Sequence, residues 1–327
     1  YAGDCSVKAV SHSFFYVRPQ FQSGSPERVT MFRDRIEKRC DGYHGAIQIV
    51  PLAGRSCQPD SVARFFLPFG KCSLDVASIE FGHKKLPPDI MSQQFGIYPE
   101  PNQSFKSTIS IEPRQSIAGV GLTYRQAFLQ LPDSDNYVWF EISSPLVSVE
   151  NKVHLKEELD PSNGKLQDNG LPQDMTQAFK QERWLYGKID NNHCMRKTGL
   201  ADIELKFGYE WLKSGCCFLE SYLGFLAPTG NCPNARYVFE PIIGHNKHMG
   251  LFFGSTGVFE FWHSEPCCSF FFAFDMNALY LTERIEKRSF DLKYRPWSRY
   301  MQVYANKEQA KLASAQTNET LHTPGIN

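Results

Sequence analysis

Residues 202–211 constrain this chain more than any other segment. Asp202, Glu204, Lys206, Gly208 and Glu210 alternate with Ile203, Leu205, Phe207, Tyr209 and Trp211. Successive side chains of a strand point to opposite faces, so this is a ten-residue strand with one wholly apolar face and one charged face. Lys213, Ser214 and Gly215 then read as a tight turn, and residues 216–225 return as a second strand.

The same period of two recurs along the chain. Residues 117–128 set Ala118, Val120, Leu122 and Tyr124 against Gly119, Gly121, Thr123 and Arg125. Val138, Phe140 and Ile142 alternate with Trp139, Glu141 and Ser143. Residues 74–81, 250–262, 270–281 and 299–304 are further strands on this reading. Residues 13–21 and 45–52 are first strands, provided that Pro19 and Pro51 take edge or end positions. Residues 175–186 and 306–316 read as short loop helices, and 157–172 as a long polar connection. The 23 Gly and 20 Pro suit many turns, and 14% aromatic content suits strands. The reading is all-β.

Alternation alone does not say which solvent the apolar face meets. A soluble sandwich hides it between two sheets, whereas a membrane barrel turns it to lipid and lines its lumen with the polar face. Three features point to lipid. Ten-residue strands match the roughly 9–11 tilted residues that cross a bilayer. Tyr209, Trp211, Trp262 and Tyr280 end their strands, as an interfacial girdle requires. Charge is dense on one face. The expected fold is therefore an antiparallel transmembrane β-barrel of roughly 12 or more strands. Arg125, Glu141, Asp202, Glu204, Lys206 and Glu210 would line its lumen. Ile203, Leu205, Phe207, Tyr209 and Trp211 would face lipid. The bland alternative for the charged set is a solvated sheet face without a selective role.

Other signals are sparse. With 35 basic and 35 acidic residues, the chain does not suit a partner gripped by bulk charge, so nucleic acid is excluded as a partner class. No run of 18 uncharged apolar residues offers a membrane helix. The opening YAGDCSVKAV has no charged or apolar leader, so an exported protein would begin here as a mature chain, its signal peptide removed. Ten cysteines leave two readings open, free thiols or disulfides of undeducible connectivity. His245 and His248 are three apart in a loop rich in Gly, where an ordinary loop outweighs a metal site. No HExxH, CxxC pair, phosphate loop or GxSxG elbow is present, so no enzyme and no cofactor is expected. The sequons at Asn102 and Asn318, the His193–Cys194 pair and the mixed-charge cluster Arg33, Arg35, Lys38 and Arg39 carry little.

From about residue 170 the order of features resembles bacterial outer-membrane β-barrels of the porin and small-solute transporter type. The pieces are GLADIELKFGY (199–209), YLGFLAPTGN (222–231) and FEPIIGHNKHMG (239–250), with residues 14–35 resembling the mature N-terminal region of such proteins. The resemblance covers about half the chain. It implies a location in the bacterial outer membrane, contact with the lipid bilayer and lipopolysaccharide, passive passage of small solutes, and a homo-oligomer as one form of assembly. Residues 1–327 would be one barrel domain. Residues 1–45 would be its N-terminal segment and first strand, 150–190 a long loop with a short helix, and 305–327 a loop helix and truncated end. Such barrels end in a strand with a terminal aromatic, but this chain ends LHTPGIN. Either closing strands are missing from this sequence or the protein is not a barrel, and the first is preferred. Two other functions compete with the pore: a cysteine-cross-linked structural or surface-assembly protein of the same membrane, and a soluble secreted β-sandwich with a binding role.

Overall fold

The computed structural model describes residues 12–13, 15, 18–24, 45–78, 88–130, 136–167, 170–182, 184–193, 195–214, 217–264, 268–291, 297–300 and 308. The chain is all-β, and its main feature is a curled, half-barrel antiparallel sheet. That sheet is built from β1 (Gly45–Arg55), β5 (Arg114–Gln130), β6 (Tyr137–Lys152), β8 (Met195–Leu200), β9 (Ile203–Ser214), β10 (Cys217–Ala227), β11 (Gly250–Ser264) and β12 (Cys268–Leu281). The order is β1-β5-β6-β9-β10-β11-β12, with β8 also on β6. β8 and β9 pair with successive stretches of β6 in one direction, joined where Ala201 N–H donates to Pro145 O at 2.9 Å. Together they fill one place, so the sheet has seven strand positions, every neighbour antiparallel.

The two ends of this sheet differ. At one end the connections are short, spanning 131–136, 215–216 and 265–267. At the other end they are long. The first carries the helix Pro59–Phe66, whose proline occupies the first turn, where its missing N–H costs nothing. It also carries β2 (Ser73–Ala77), β3 (Ile90–Met91) and β4 (Lys106–Ile111). With β7 (Leu155–Leu159), these form a second sheet of order β3-β2-β4-β7. Under it lies an ordinary apolar core that includes Phe66, Leu74, Ile109, Phe179, Trp184, Trp297 and Tyr300. Trp184 and Tyr300 stack at 4.9 Å, and the Tyr300 hydroxyl donates to Gly187 O at 2.8 Å. Burial raises the pKa of that phenol.

Several expectations need correction. The strands number twelve among the described residues, but they divide between two sheets, so only eight belong to the curled one. The described residues of 13–21 form no strand. Pro19 begins a turn that closes with Gln22 N–H on Pro19 O at 3.0 Å, within the helix Gln20–Ser23. At 299–304 the described residues form a turn, Ser298–Tyr300, because Trp297 takes a positive φ that puts its indole and the Tyr300 ring into the core. The long connection at 150–190 contains β7. Its helix is one turn, Met175–Ala178, capped by Asp174 accepting from Gln177 N at 2.6 Å. The strand expected at 74–81 ends at Ala77, and residues 79–81 lie outside the described residues. The helix expected at 306–316 lies outside them too, save Glu308. Pro51 sits on β1, which is an edge strand of the sheet among the described residues.

Candidate functional site

The concave face of the curled sheet carries a layer of buried charge. Arg125, Glu141 and Lys206 are cross-strand neighbours on β5, β6 and β9. Lys206 Nζ donates to Glu141 Oε1 at 2.7 Å and lies 3.5 Å from Glu204. Arg125 lies 3.8 Å from Glu141. Its guanidinium passes over the Trp139 indole, 3.7 Å from the ring centre, and makes a two-pronged pair with Glu220 on β10, Nη1 to Oε1 being 3.1 Å. β5 and β10 are three places apart, about 14 Å on a flat sheet. Upright side chains would not meet across that gap, so the pair depends on the curl. Space for the aromatic part of the layer comes from glycine. A Cβ on Gly208 would overlap Trp139, and one on Gly254 would overlap Tyr222.

The sequence-expected lumen residues therefore divide. Arg125, Glu141, Glu204, Lys206 and Glu210 all lie on the concave face and are buried, with Glu204 only 1% exposed. Asp202 is buried but lies one residue before β9, outside the strand that the alternation assigned it to. Its carboxylate accepts from Gly230 N at 3.1 Å, His245 N at 2.6 Å and His245 Nδ1 at 2.8 Å. Glu220, Trp139 and Tyr222 belong to the layer and were missed. Glu220 shares the buried face of β10 with Phe218 and Tyr222.

The convex face is the reverse. Phe207 is 61% exposed, Trp211 is exposed too, and Ile203, Leu205 and Tyr209 lie half-buried beside them. The apolar surface continues over Ile47 and Ile49 of β1, Leu122 of β5, Ile142 of β6, Leu223 of β10 and Phe253 of β11. No second layer covers Phe207 or Leu223 among the described residues. A groove of about 750 Å³ runs between Phe207, Leu223, Phe253 and Met276.

The segments that carry the resemblance tie the long connections together. Asn231 Nδ2 donates to Pro241 O at 3.0 Å, and its Oδ1 accepts from Ile243 N at 2.6 Å. Glu240 accepts from the backbone N–H groups of Asn234, Ala235 and Tyr237 at 2.9–3.2 Å. Gly244 has φ of 75° and backs onto the Asp202 carboxylate, where a side chain has no room. Gln22 Nε2 donates to Ile242 O at 2.5 Å, so the N-terminal segment joins the same knot. These residue types hold a loop by satisfying its backbone.

His245 is thus a partner of Asp202, and His248 Nε2 lies 2.6 Å from Glu286. Among the described residues, no group of three His, Cys, Asp or Glu side chains is placed to hold a metal ion. His193 stacks on Tyr237 at 4.7 Å. Cys57, Cys72 and Cys232 are free thiols. Cys5, Cys40, Cys194, Cys216 and Cys267 lie outside the described residues, as do Arg33, Arg35, Lys38, Arg39 and Asn318. Among the described residues, no helix is long and apolar enough to cross a membrane, which says nothing of crossing by strands. No protein-family model, no curated protein and no solved structure matches the chain.

Proposed function

We propose that this chain forms the greater part of a membrane-spanning β-barrel of the bacterial outer-membrane type, through which small solutes pass passively. One observation carries the reading: the ionic face of the curled sheet is buried while its apolar face is bare. Water rewards the opposite arrangement, and apolar patches on soluble monomers rarely exceed a few hundred Å². Lipid rewards this one. The asymmetry of the ends agrees with it, since such barrels have short turns on the periplasmic side and long connections outside. Trp211 and Trp262 near the short connections, with Tyr280 near the long ones, suit the two interfaces.

The edges β1 and β12 run in the same direction, because they are the first and the seventh of seven alternating positions. An antiparallel ring therefore needs an odd number of further strands between them. Open edges in hydrocarbon cost several kcal/mol per unpaired backbone group. On this reading the Arg125–Glu220 and Lys206–Glu141 pairs are the constriction of the passage.

The purified protein should need detergent to stay dispersed, resist extraction by carbonate and give conductance in planar bilayers. Carbonate-soluble protein with β-type circular dichroism would end the membrane reading. A second reading has its own support: Arg125, Glu141 and Glu220 are closed to solvent, as in a solid membrane anchor for the four-stranded lobe. Zero conductance from a detergent-requiring protein would favour the anchor.

A further inference from the structure

A cavity of about 890 Å³ opens at the long-connection end, beside the end of β12. Its wall joins three stretches distant in sequence: Arg18, the loop at 245–248, and residues 281–288. Glu286 lies in that wall with both oxygens engaged. Oε1 accepts from Asn246 Nδ2 at 2.8 Å and meets His248 Nε2 at 2.6 Å, while Oε2 takes Arg288. The other ring nitrogen of His248 lies 2.7 Å from Thr282 O. Glu283 lies in the same wall, and Arg288 pairs with Glu286, so three guanidiniums face two carboxylates there.

Arg18 and Arg284 are in a different position. Arg18 Nη1 donates to Asn246 Oδ1 at 2.9 Å, and Arg284 Nη1 donates to Lys247 O at 2.9 Å. A guanidinium has five N–H donors, so each keeps others for a ligand. Arg18 is half-buried, and this loss of solvent lowers its pKa, with Glu286 and Asp202 opposing the fall and Arg288 adding to it. A poorly solvated guanidinium gains more from an anion than one in open water. The two guanidiniums come from separate segments of this wall, and guanidinium groups pair readily with phosphate oxygens. The cavity is much larger than one phosphate group. Leu281 and Ile285 lie in its wall, with Ile285 96% exposed.

We propose that this cavity binds a phosphate ester, with its oxyanion on Arg18 and Arg284 and its organic part against Leu281 and Ile285. The ester has two sources. Tyr280 and Leu281 end the apolar face here, so a lipid headgroup reaches the cavity from the side, whereas a soluble phosphorylated solute enters from the mouth. The inference does not depend on conduction.

The test uses the full chain in non-ionic detergent, with inorganic phosphate, glycerol phosphate and short-chain phosphatidic acid as probes in calorimetry and competition. Phosphatidylcholine serves as the zwitterionic control. All three anionic probes should compete for one site, and Arg284→Gln should weaken each about tenfold, the scale of one charge-assisted contact. Arg284 is exposed, so this variant should keep the β-type circular dichroism even where Arg18→Gln does not fold. Phosphatidic acid binding far tighter than glycerol phosphate identifies the lipid source, and comparable affinities identify the soluble one. Absence of binding by every anionic probe overturns the proposal. So does binding that Arg284→Gln leaves unchanged, or binding of phosphatidylcholine equal to that of phosphatidic acid.

Discussion

The two sheets of this molecule obey opposite rules. Under the four-stranded sheet, Phe95, Phe179, Trp184 and Tyr300 pack ring against ring, while Lys106, Lys156 and Glu158 stay on the outside. In the curled sheet, Arg125, Glu141, Lys206 and Glu220 occupy the inside, and Phe207, Leu223 and Phe253 the outside. Both sheets alternate with period two, so the difference lies in which face was buried. The four-stranded lobe is organised as water demands. The curled sheet spends its concave volume on ion pairs, each costly to desolvate and held only by mutual attraction. The proposed membrane reading accounts for the contrast by giving the two sheets different surroundings.

The largest expected effect tests the ionic side. Arg125→Ala leaves Glu220 and Glu141 buried without their guanidinium, a loss on the order of 3–5 kcal/mol. The folded sheet should then be lost at a denaturant concentration that the parent chain survives, read by circular dichroism in detergent. Removing both partners, Arg125→Met with Glu220→Gln, should cost less than Arg125→Ala alone. If the double change costs as much as both losses added together, the pair is not coupled and the interior is wetter than its burial indicates.

An effect of similar size should appear in the lobe and stay there. Phe179→Ala opens a cavity among Phe95, Trp184 and Trp297, at a cost of roughly 3–5 kcal/mol. Limited proteolysis should cut the lobe early in this variant while the curled sheet remains protected. Simultaneous loss of both regions would show that they fold as one unit, and the contrast would lose its meaning as two separately organised parts.

The surroundings themselves are tested by Leu223→Arg, at a position 66% exposed on the convex face. Facing water, an added charge there should be neutral or favourable. Facing the middle of a bilayer, it should cost about 2–4 kcal/mol. Folding into lipid vesicles at graded urea separates the two outcomes, and an unchanged midpoint would remove hydrocarbon from the account.

Much of this contrast was legible in the sequence, for a physical reason. Alternation is a local property, so the partition of β5, β6 and β9 into two faces followed from the residues themselves. Direction is not local. The order Ile203 to Trp211 separates the two faces, and only strand length, terminal aromatics and charge density argued for which is bare, because burial itself depends on neighbours far along the chain. Glu220 became a site residue only through Arg125, 95 positions away. Asp202 misled for a related reason. It continues the alternation, but its carboxylate is claimed by Gly230 and His245, so the strand begins one residue later. The lobe was hidden because β3, β4 and β7 are short, at two to six residues, too few for a period to declare itself, and β2 alone was read, within 74–81. The turn at Trp297 was hidden because a positive φ at an aromatic residue has no composition signal.

The smallest effect concerns the strap that follows β12, where the two regimes meet. Burial would raise the Glu286 pKa, but hydrogen bonds from Asn246, His248 and Arg288 outweigh it, and the net shift is downward from 4.5. A carboxyl whose folded value is depressed adds stability that is present above its unfolded value and is lost as pH falls through the folded one. The tie between residues 282–288 and the loop at 245–248 should therefore hold at neutral pH and loosen below about 4.5. An acid-active protease should cleave near Leu281 or Phe290 faster as the pH drops through that window, with a general substrate correcting for the enzyme's own pH response. Glu286→Gln should be cleaved readily at every pH in the window, because it no longer carries a charge to lose. The charged layer lies behind closed side chains on the concave face, so circular dichroism of the curled sheet should stay flat over the same range. A sheet that melts together with the strap would mean that acid reaches Glu141 and Glu220 as easily as Glu286, and that these buried pairs are less shielded than their burial indicates.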